Sequence, residues 1–136
     1  MMKRTKSGKP LSEIALGTMY FGSRISEEKG EELLHTFLEM GGNQIDTARG
    51  YASWIPGGEG ASEQALGRYL KKYPREEIYL GTKGWRMPRG YNETRGDLSP
   101  ERIKEELENS LKALDTEYID LYWLHRDDLR LSLIHI

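Results

Sequence analysis

Four side chains carry the chemistry this sequence can do: Asp46, Tyr51, Lys83 and His125. Each lies at or just past the end of an apolar, strand-like run. The contexts are Ile45-Asp46-Thr47-Ala48, then Tyr51, then Gly81-Thr82-Lys83, then Leu121-Tyr122-Trp123-Leu124-His125-Arg126. An acid, a phenol, an amine and an imidazole make a set for moving protons. A general acid works best with a pKa near the working pH, and a free tyrosine, at about 10, sits too high. A neighbouring ammonium stabilises the phenolate and lowers that value. Lys83 can supply the ammonium, and Asp46 can hold Lys83 charged and in place. Taken singly, each residue has a plainer reading: Asp46 as a turn cap, Lys83 as a solvated lysine, His125 as a core histidine.

The elements that must position these four alternate along the chain. Residues 3–12 read as a short hairpin with Ser7-Gly8-Lys9-Pro10 as its turn. Ile14–Leu16 is a short apolar strand. Ser26 is a helix N-cap, followed by Glu27 and Glu28 where the helix dipole favours acids. Leu33, Leu34, Phe37 and Leu38 fall on one face of that helix, and Gly41-Gly42 ends it. A second strand ends at Asp46. A second helix starts near Ser62, with Ala65, Leu66, Tyr69, Leu70 and Tyr73 as its apolar stripe and Pro74 as its stop. The third strand is Ile78–Thr82. The third helix has Ser99 as N-cap and Pro100 at its first position, with Leu98 set to staple onto Ile103. Its expected buried face is Ile103, Leu107, Leu111 and Leu114, and its glutamates are expected in solvent. Tyr118–His125 is the fourth strand.

Alternation of this kind implies βαβ units and a parallel sheet. The expected fold class is α/β: the N-terminal half of a TIM (β/α)8 barrel, with four parallel strands and three helices after a short hairpin. In such barrels reactive side chains gather at the carboxyl ends of the strands. Two long loops, about 49–61 and 84–98, follow strand ends and belong on that face. On the fourth strand Ile119, Leu121, Trp123 and His125 share one face, and Tyr79, Gly81 and Lys83 share one on the third. Gly81 is expected to leave room beside Lys83.

Bulk properties narrow the field. The chain has 136 residues, whereas a complete barrel takes about 250. Net charge is -2 with 20 basic and 22 acidic side chains, which gives no electrostatic case for nucleic acid. The small basic cluster Lys71, Lys72 and Arg75 reads as a solvated helix end. There are no cysteines, so disulfides and thiolate metal sites are excluded. The three histidines are widely spaced and show no His-Glu-x-x-His pattern, so no metal site is expected. His35 and His135 are assigned no role. No apolar run approaches the roughly 20 residues of a membrane span, and the basic start lacks a signal-peptide core. The expected setting is cytoplasmic. Gly58-Glu59-Gly60 is no dinucleotide fingerprint, because Glu63 stands where the third glycine belongs.

From about Leu11 to Asp128 the chain resembles the aldo-keto reductase family. Ile14-Ala15-Leu16-Gly17-Thr18-Met19-Tyr20-Phe21-Gly22 is similar to that family's first strand. Gly41-Gly42-Asn43-Gln44-Ile45-Asp46-Thr47-Ala48 resembles its most recognisable motif, and Ser62-Glu63-Gln64-Ala65-Leu66-Gly67 the start of its second helix. Leu98-Ser99-Pro100-Glu101, followed by Asp115-Thr116-Glu117-Tyr118-Ile119-Asp120-Leu121-Tyr122, is similar to its third helix and fourth strand. The resemblance implies reduction of an aldehyde or ketone by hydride from NADP or NAD. Tyr51 would be the proton donor, Lys83 and Asp46 its tuners, and His125 the residue that orients the carbonyl. It implies that Gly17, Thr18, Met19 and Asp46 lie near the nicotinamide. Tyr20, Trp54 and Trp85 are the candidate pocket walls, since aromatic surfaces suit carbonyl substrates. Two alternatives remain beside it: a Schiff-base aldolase using Lys83, and a non-catalytic, cofactor-binding regulatory subunit of the same family.

The family's second half, which carries most of its cofactor contacts, has no counterpart here. Residues 1–128 are read as a partial barrel domain. Residues 129–136, Leu129-Arg130-Leu131-Ser132-Leu133-Ile134-His135-Ile136, show no cap or helical stripe and are read as a tail from truncation or a shifted frame. The isolated piece is expected to be inactive, and to self-associate through its open sheet edges.

Overall fold

The computed structural model describes residues 3–84 and 98–125. In chain order it runs β1 (Ala15–Gly17), α1 (Glu27–Glu39), β2 (Gln44–Asp46), α2 (Ala61–Leu70), a 3-10 turn (Arg75–Glu77), β3 (Tyr79–Gly84), α3 (Pro100–Leu114) and β4 (Leu121–Leu124). The strands form one parallel sheet in the order β1-β2-β3-β4. Register is continuous across it: Gly17 pairs with Asp46, Asp46 with Gly81, and Lys83 with Trp123. Four parallel strands joined by three helical crossovers are half of a βα-barrel. The hairpin expected over residues 3–12 is reduced to a single antiparallel bridge, Arg4 to Pro10.

The helix ends follow from local chemistry. Ser26 Oγ accepts from the Lys29 N–H at 3.3 Å and caps α1. Gly41, at φ +85, lets the chain leave α1, and the Gly41 and Gly42 N–H groups donate to the Leu38 and Phe37 carbonyls. Ser99 caps α3 ahead of Pro100, and Asp115 closes it in the left-handed conformation. Leu34, Ile45, Leu66, Leu80 and Leu114 fill the space between sheet and helices, each at most 2% exposed. Burying such a side chain contributes about 1.5–3 kcal/mol. At Gly67 a Cβ would press on the Ala113 carbonyl at 2.7 Å, so glycine there lets the end of α3 lie directly on α2.

Several expectations need correction. Leu33 is 40% exposed and lies outside the α1 core face, while Ile14 is 70% exposed and precedes β1. β3 runs two residues further than expected, and β4 is shorter at both ends. The deepest residues of α3 are Glu106, Ser110 and Leu114, so one of its glutamates is core and not solvated surface. Arg75 is not a solvated helix end either: it is bonded to Thr116, Ile78, Tyr118 and Asp120.

Candidate active site

β2 delivers Asp46 and β3 delivers Lys83 to the inner, helix-free face of the sheet, on adjacent strands. Lys83 Nζ donates to Asp46 Oδ2 at 2.6 Å, to the Thr47 carbonyl at 2.8 Å and to Tyr51 Oη at 2.9 Å. All three ammonium protons are thus committed. Tyr51 reaches this point from the loop after β2, where its N–H donates to the Ala48 carbonyl. Because its oxygen accepts from Lys83, its own O–H proton is left to point elsewhere. The His125 ring meets the Tyr51 ring edge-on, centroids 5.8 Å apart, and the backbone N–H of His125 donates to the Gly84 carbonyl at 3.2 Å. The four residues singled out from sequence therefore converge.

The other candidates divide. Gly17 and Met19 are exposed at the end of β1. Thr18 is fully buried, with its hydroxyl against the Asp46 carbonyl at 3.2 Å and Ser62 Oγ at 3.2 Å, so its side chain holds the strand ends together. Tyr20 and Trp54 meet edge-on at 6.1 Å, each about two-fifths exposed, with the Arg24 guanidinium over both rings. Trp85 lies outside the described residues, as do the tail 129–136 and His135. Gly81 is not required by crowding: an added Cβ would come no closer than 3.7 Å to a neighbour. Gly17, Asp46, Gly81, Leu121 and Trp123 instead line an open hollow of about 310 Å³ on the inner face. An added Cβ at Gly17 would meet nothing within 4 Å. A flat ring has room there, against Asp46.

Behind the site lies a polar layer that hydropathy does not reveal. Ser62 Oγ donates to the Thr18 carbonyl at 2.7 Å and hydrogen-bonds Thr47 Oγ1 at 3.1 Å, tying the ends of β1 and β2 to the first turn of α2. Glu63 is fully buried and accepts from Thr82 Oγ1 at 2.7 Å. Burial pushes its pKa up, while the Thr82 and Ser110 hydroxyls and the Arg49 guanidinium pull it down. Burial also raises the Tyr122 phenol to about 12, with Glu106 and Glu63 adding to the shift. Ser62 and Glu63 stood in the sequence as a helix-start motif, but nothing in their spacing marked them as the site's backing.

A sequence profile of the aldo/keto reductase family matches residues 13–135. The chain belongs to the aldo/keto reductase family. Among curated relatives it is 36% identical over 130 residues to the aldo-keto reductase YhdN of Bacillus subtilis, and that match takes in 90% of this chain. It is 33% identical over 131 residues to the probable aldo-keto reductase 1 of Glycine max, across 93% of this chain. The chain spans 36% of the length of each. Among solved structures, the holo form of the aldo-keto reductase AKR11C1 from Bacillus halodurans superposes with a TM-score of 0.75 at 32% identity, covering 98% of this chain and 42% of that one. An aldo-keto reductase from Klebsiella pneumoniae, solved in complex with NADPH, superposes with a TM-score of 0.69 at 27% identity, covering 95% and 42%. This aldo/keto reductase chain thus matches its solved relatives over under half their length, as four strands of an eight-stranded barrel would. Among the described residues no helix is long and apolar enough to cross a membrane, and no cluster of ligating side chains could hold a metal ion.

Proposed function

We propose that the protein is an NAD(P)H-dependent reductase of aldehydes or ketones in which Tyr51 is the general acid, this chain supplying the proton-transfer half of the site. The observation that carries the reading is the position of Lys83 Nζ, within hydrogen-bond distance of both the Asp46 carboxylate and the Tyr51 hydroxyl. Family membership supports nicotinamide chemistry, and the neighbour solved with NADPH supports the phosphorylated form.

When bound, the dinucleotide would supply a hydride to the carbonyl carbon. This chain's residues handle the oxygen. As negative charge grows there, Tyr51 gives up its O–H proton and the alkoxide becomes an alcohol. The phenolate left behind still accepts from the Lys83 ammonium, whose charge Asp46 balances. His125, edge-on to Tyr51, is placed to hold the carbonyl oxygen toward the phenol. Gly17, Met19 and Asp46 offer the open surface for the nicotinamide, while Tyr20 and Trp54 wall the substrate side. The aldolase alternative is disfavoured, since a Schiff base needs Lys83 as a free amine and here it is a fully engaged ammonium. A cytoplasmic setting fits the absence of cysteine.

Titration of the chain with NADPH, followed by tryptophan fluorescence, tests the reading, because Trp123 borders the hollow. Saturable quenching that disappears in Asp46→Asn and in Lys83→Met is the expected result. Quenching that persists unchanged in both variants overturns the placement of the nicotinamide at this site.

A further inference from the structure

Lys83 and Tyr51 come from different elements, a strand and a loop, and nothing in their own backbone sets the gap between them. One side chain reaches the supports of both. Glu63, in the first turn of α2, has its Oε1 on the Thr82 hydroxyl, and Thr82 is the residue immediately before Lys83. Along a strand successive side chains point to opposite faces, so anchoring Thr82 on the helix side fixes the backbone from which Lys83 departs on the inner side. The other carboxyl oxygen, Oε2, lies 3.6 Å from Arg49 Nη1. Arg49 is two residues before Tyr51, and its backbone is pinned twice: its N–H donates to the Lys83 carbonyl at 3.0 Å, and its carbonyl accepts from Gly60 at 3.0 Å. The guanidinium lies so close to Gly60, at φ +78, that any Cβ there would strike it.

We propose that Glu63 is a positioning residue for the Lys83–Tyr51 pair: its buried carboxyl ties the end of β3 to the turn that carries Tyr51 and so sets the contact between ammonium and phenol. The proposal rests on the reductase reading of that pair. Packing alone does not explain a carboxyl at this place. It is wholly buried, and Oε2 has no hydrogen-bond partner among the described residues. Such a group costs free energy that an apolar side chain of similar size would not. What an apolar side chain cannot do is hold a hydroxyl on one element and a guanidinium on another.

The test uses the 136-residue chain labelled with 13C at the tyrosine ring carbon that bears oxygen. The Tyr51 resonance is identified by its loss in Tyr51→Phe. Lys83→Met moves that resonance, because the ammonium on its oxygen is gone. Glu63→Ala moves it the same way by most of that shift, while Glu63→Gln, which keeps an acceptor for Thr82, leaves it near the wild-type position. Resonances of the other tyrosines report whether each variant is folded. If Glu63→Ala does not fold, Thr82→Val cuts one arm of the tie at nearly constant volume and moves the resonance partway. A Tyr51 resonance at its wild-type position in folded Glu63→Ala or Thr82→Val, with Lys83→Met shifted, overturns the positioning role and spares the reductase reading. No shift in Lys83→Met removes the Lys83–Tyr51 bond itself, and both fall together.

Discussion

Two cation–carboxylate pairs sit at opposite ends of the same sheet, and they are built differently. At the amino end, Arg75 Nη2 donates to Asp120 Oδ2 at 2.8 Å and to the Tyr118 carbonyl at 2.9 Å; Nη1 donates to the Ile78 carbonyl and Nε to Thr116 Oγ1. The guanidinium also lies over the Tyr118 ring at 4.0 Å, and Asp120 Oδ2 accepts the Leu80 N–H. Almost every partner is backbone or a neighbouring side chain that fixes a chain turn. At the carboxyl end, Lys83 spends its protons on Asp46, one carbonyl and the hydroxyl of Tyr51, beside an open hollow. In the first pair all three guanidinium nitrogens are spent on groups of the fold. The second ends in a phenol that still has a proton to give. In a βα-barrel the carboxyl face carries chemistry and the amino face carries stability, and these two pairs show what that division means in bonds.

The largest expected effect that tests this contrast is on turnover. In a chimera whose remaining barrel comes from the Bacillus subtilis relative, Tyr51→Phe is expected to lower aldehyde-dependent NADPH oxidation by about 10²–10⁴-fold, the range a positioned general acid supplies. A loss below tenfold would mean that another group gives the proton. Next is stability at the other end. Arg75→Leu leaves Asp120, whose side chain is 10% exposed, without its cation. Breaking such a pair costs about 3–5 kcal/mol, to be read from urea unfolding. A cost under about 1 kcal/mol, the size of a surface pair, would remove the structural role assigned to it.

A smaller effect concerns pH. The pKa of Glu63 is raised in the fold, so the folded chain holds that proton more tightly than the unfolded chain does. The resulting contribution is fully present below the ordinary carboxylate range and is lost as pH rises through the raised value. The groups facing Glu63 are Arg49 from the loop, Thr82 from β3, Ser110 from α3 and the Tyr122 phenol of β4. Glu63→Gln has no such proton, so its stability relative to wild type should improve between about pH 5 and about pH 8. Unfolding curves at the two pH values that keep a constant difference would contradict this. Smallest is Tyr122→Phe. The Tyr122 hydroxyl is buried with no hydrogen-bond partner among the described residues, so its removal should be neutral or stabilising by about 1 kcal/mol in Tm-derived free energy. A clear loss of stability would reveal a partner for that hydroxyl.

Much of the frame was legible because its signals are local. Ser26, Gly41-Gly42 and Ser99-Pro100 act within a turn of themselves, and each marks the helix end it was read to mark. Asp46, Tyr51, Lys83 and His125 were legible as an ordered set at strand ends, and the structure brings them together. Non-local pairing was what periodicity could not carry. Arg75 read as solvent-facing because its partners Tyr118 and Asp120 lie more than forty residues away. Glu106 read as surface because hydropathy assigns a carboxylate to water, whereas Arg102 takes part of that role. The burial of Thr18 against Ser62 likewise turns on a contact forty-four residues distant.

The most direct test of the division between the two ends is a paired measurement of kcat and Tm in that chimera for Lys83→Met and Arg75→Met. Lys83→Met is expected to abolish turnover at nearly unchanged Tm, and Arg75→Met to lower Tm while kcat per folded molecule stays at the wild-type value. Turnover that survives Lys83→Met, or a kcat lost in a folded Arg75→Met enzyme, would contradict that division.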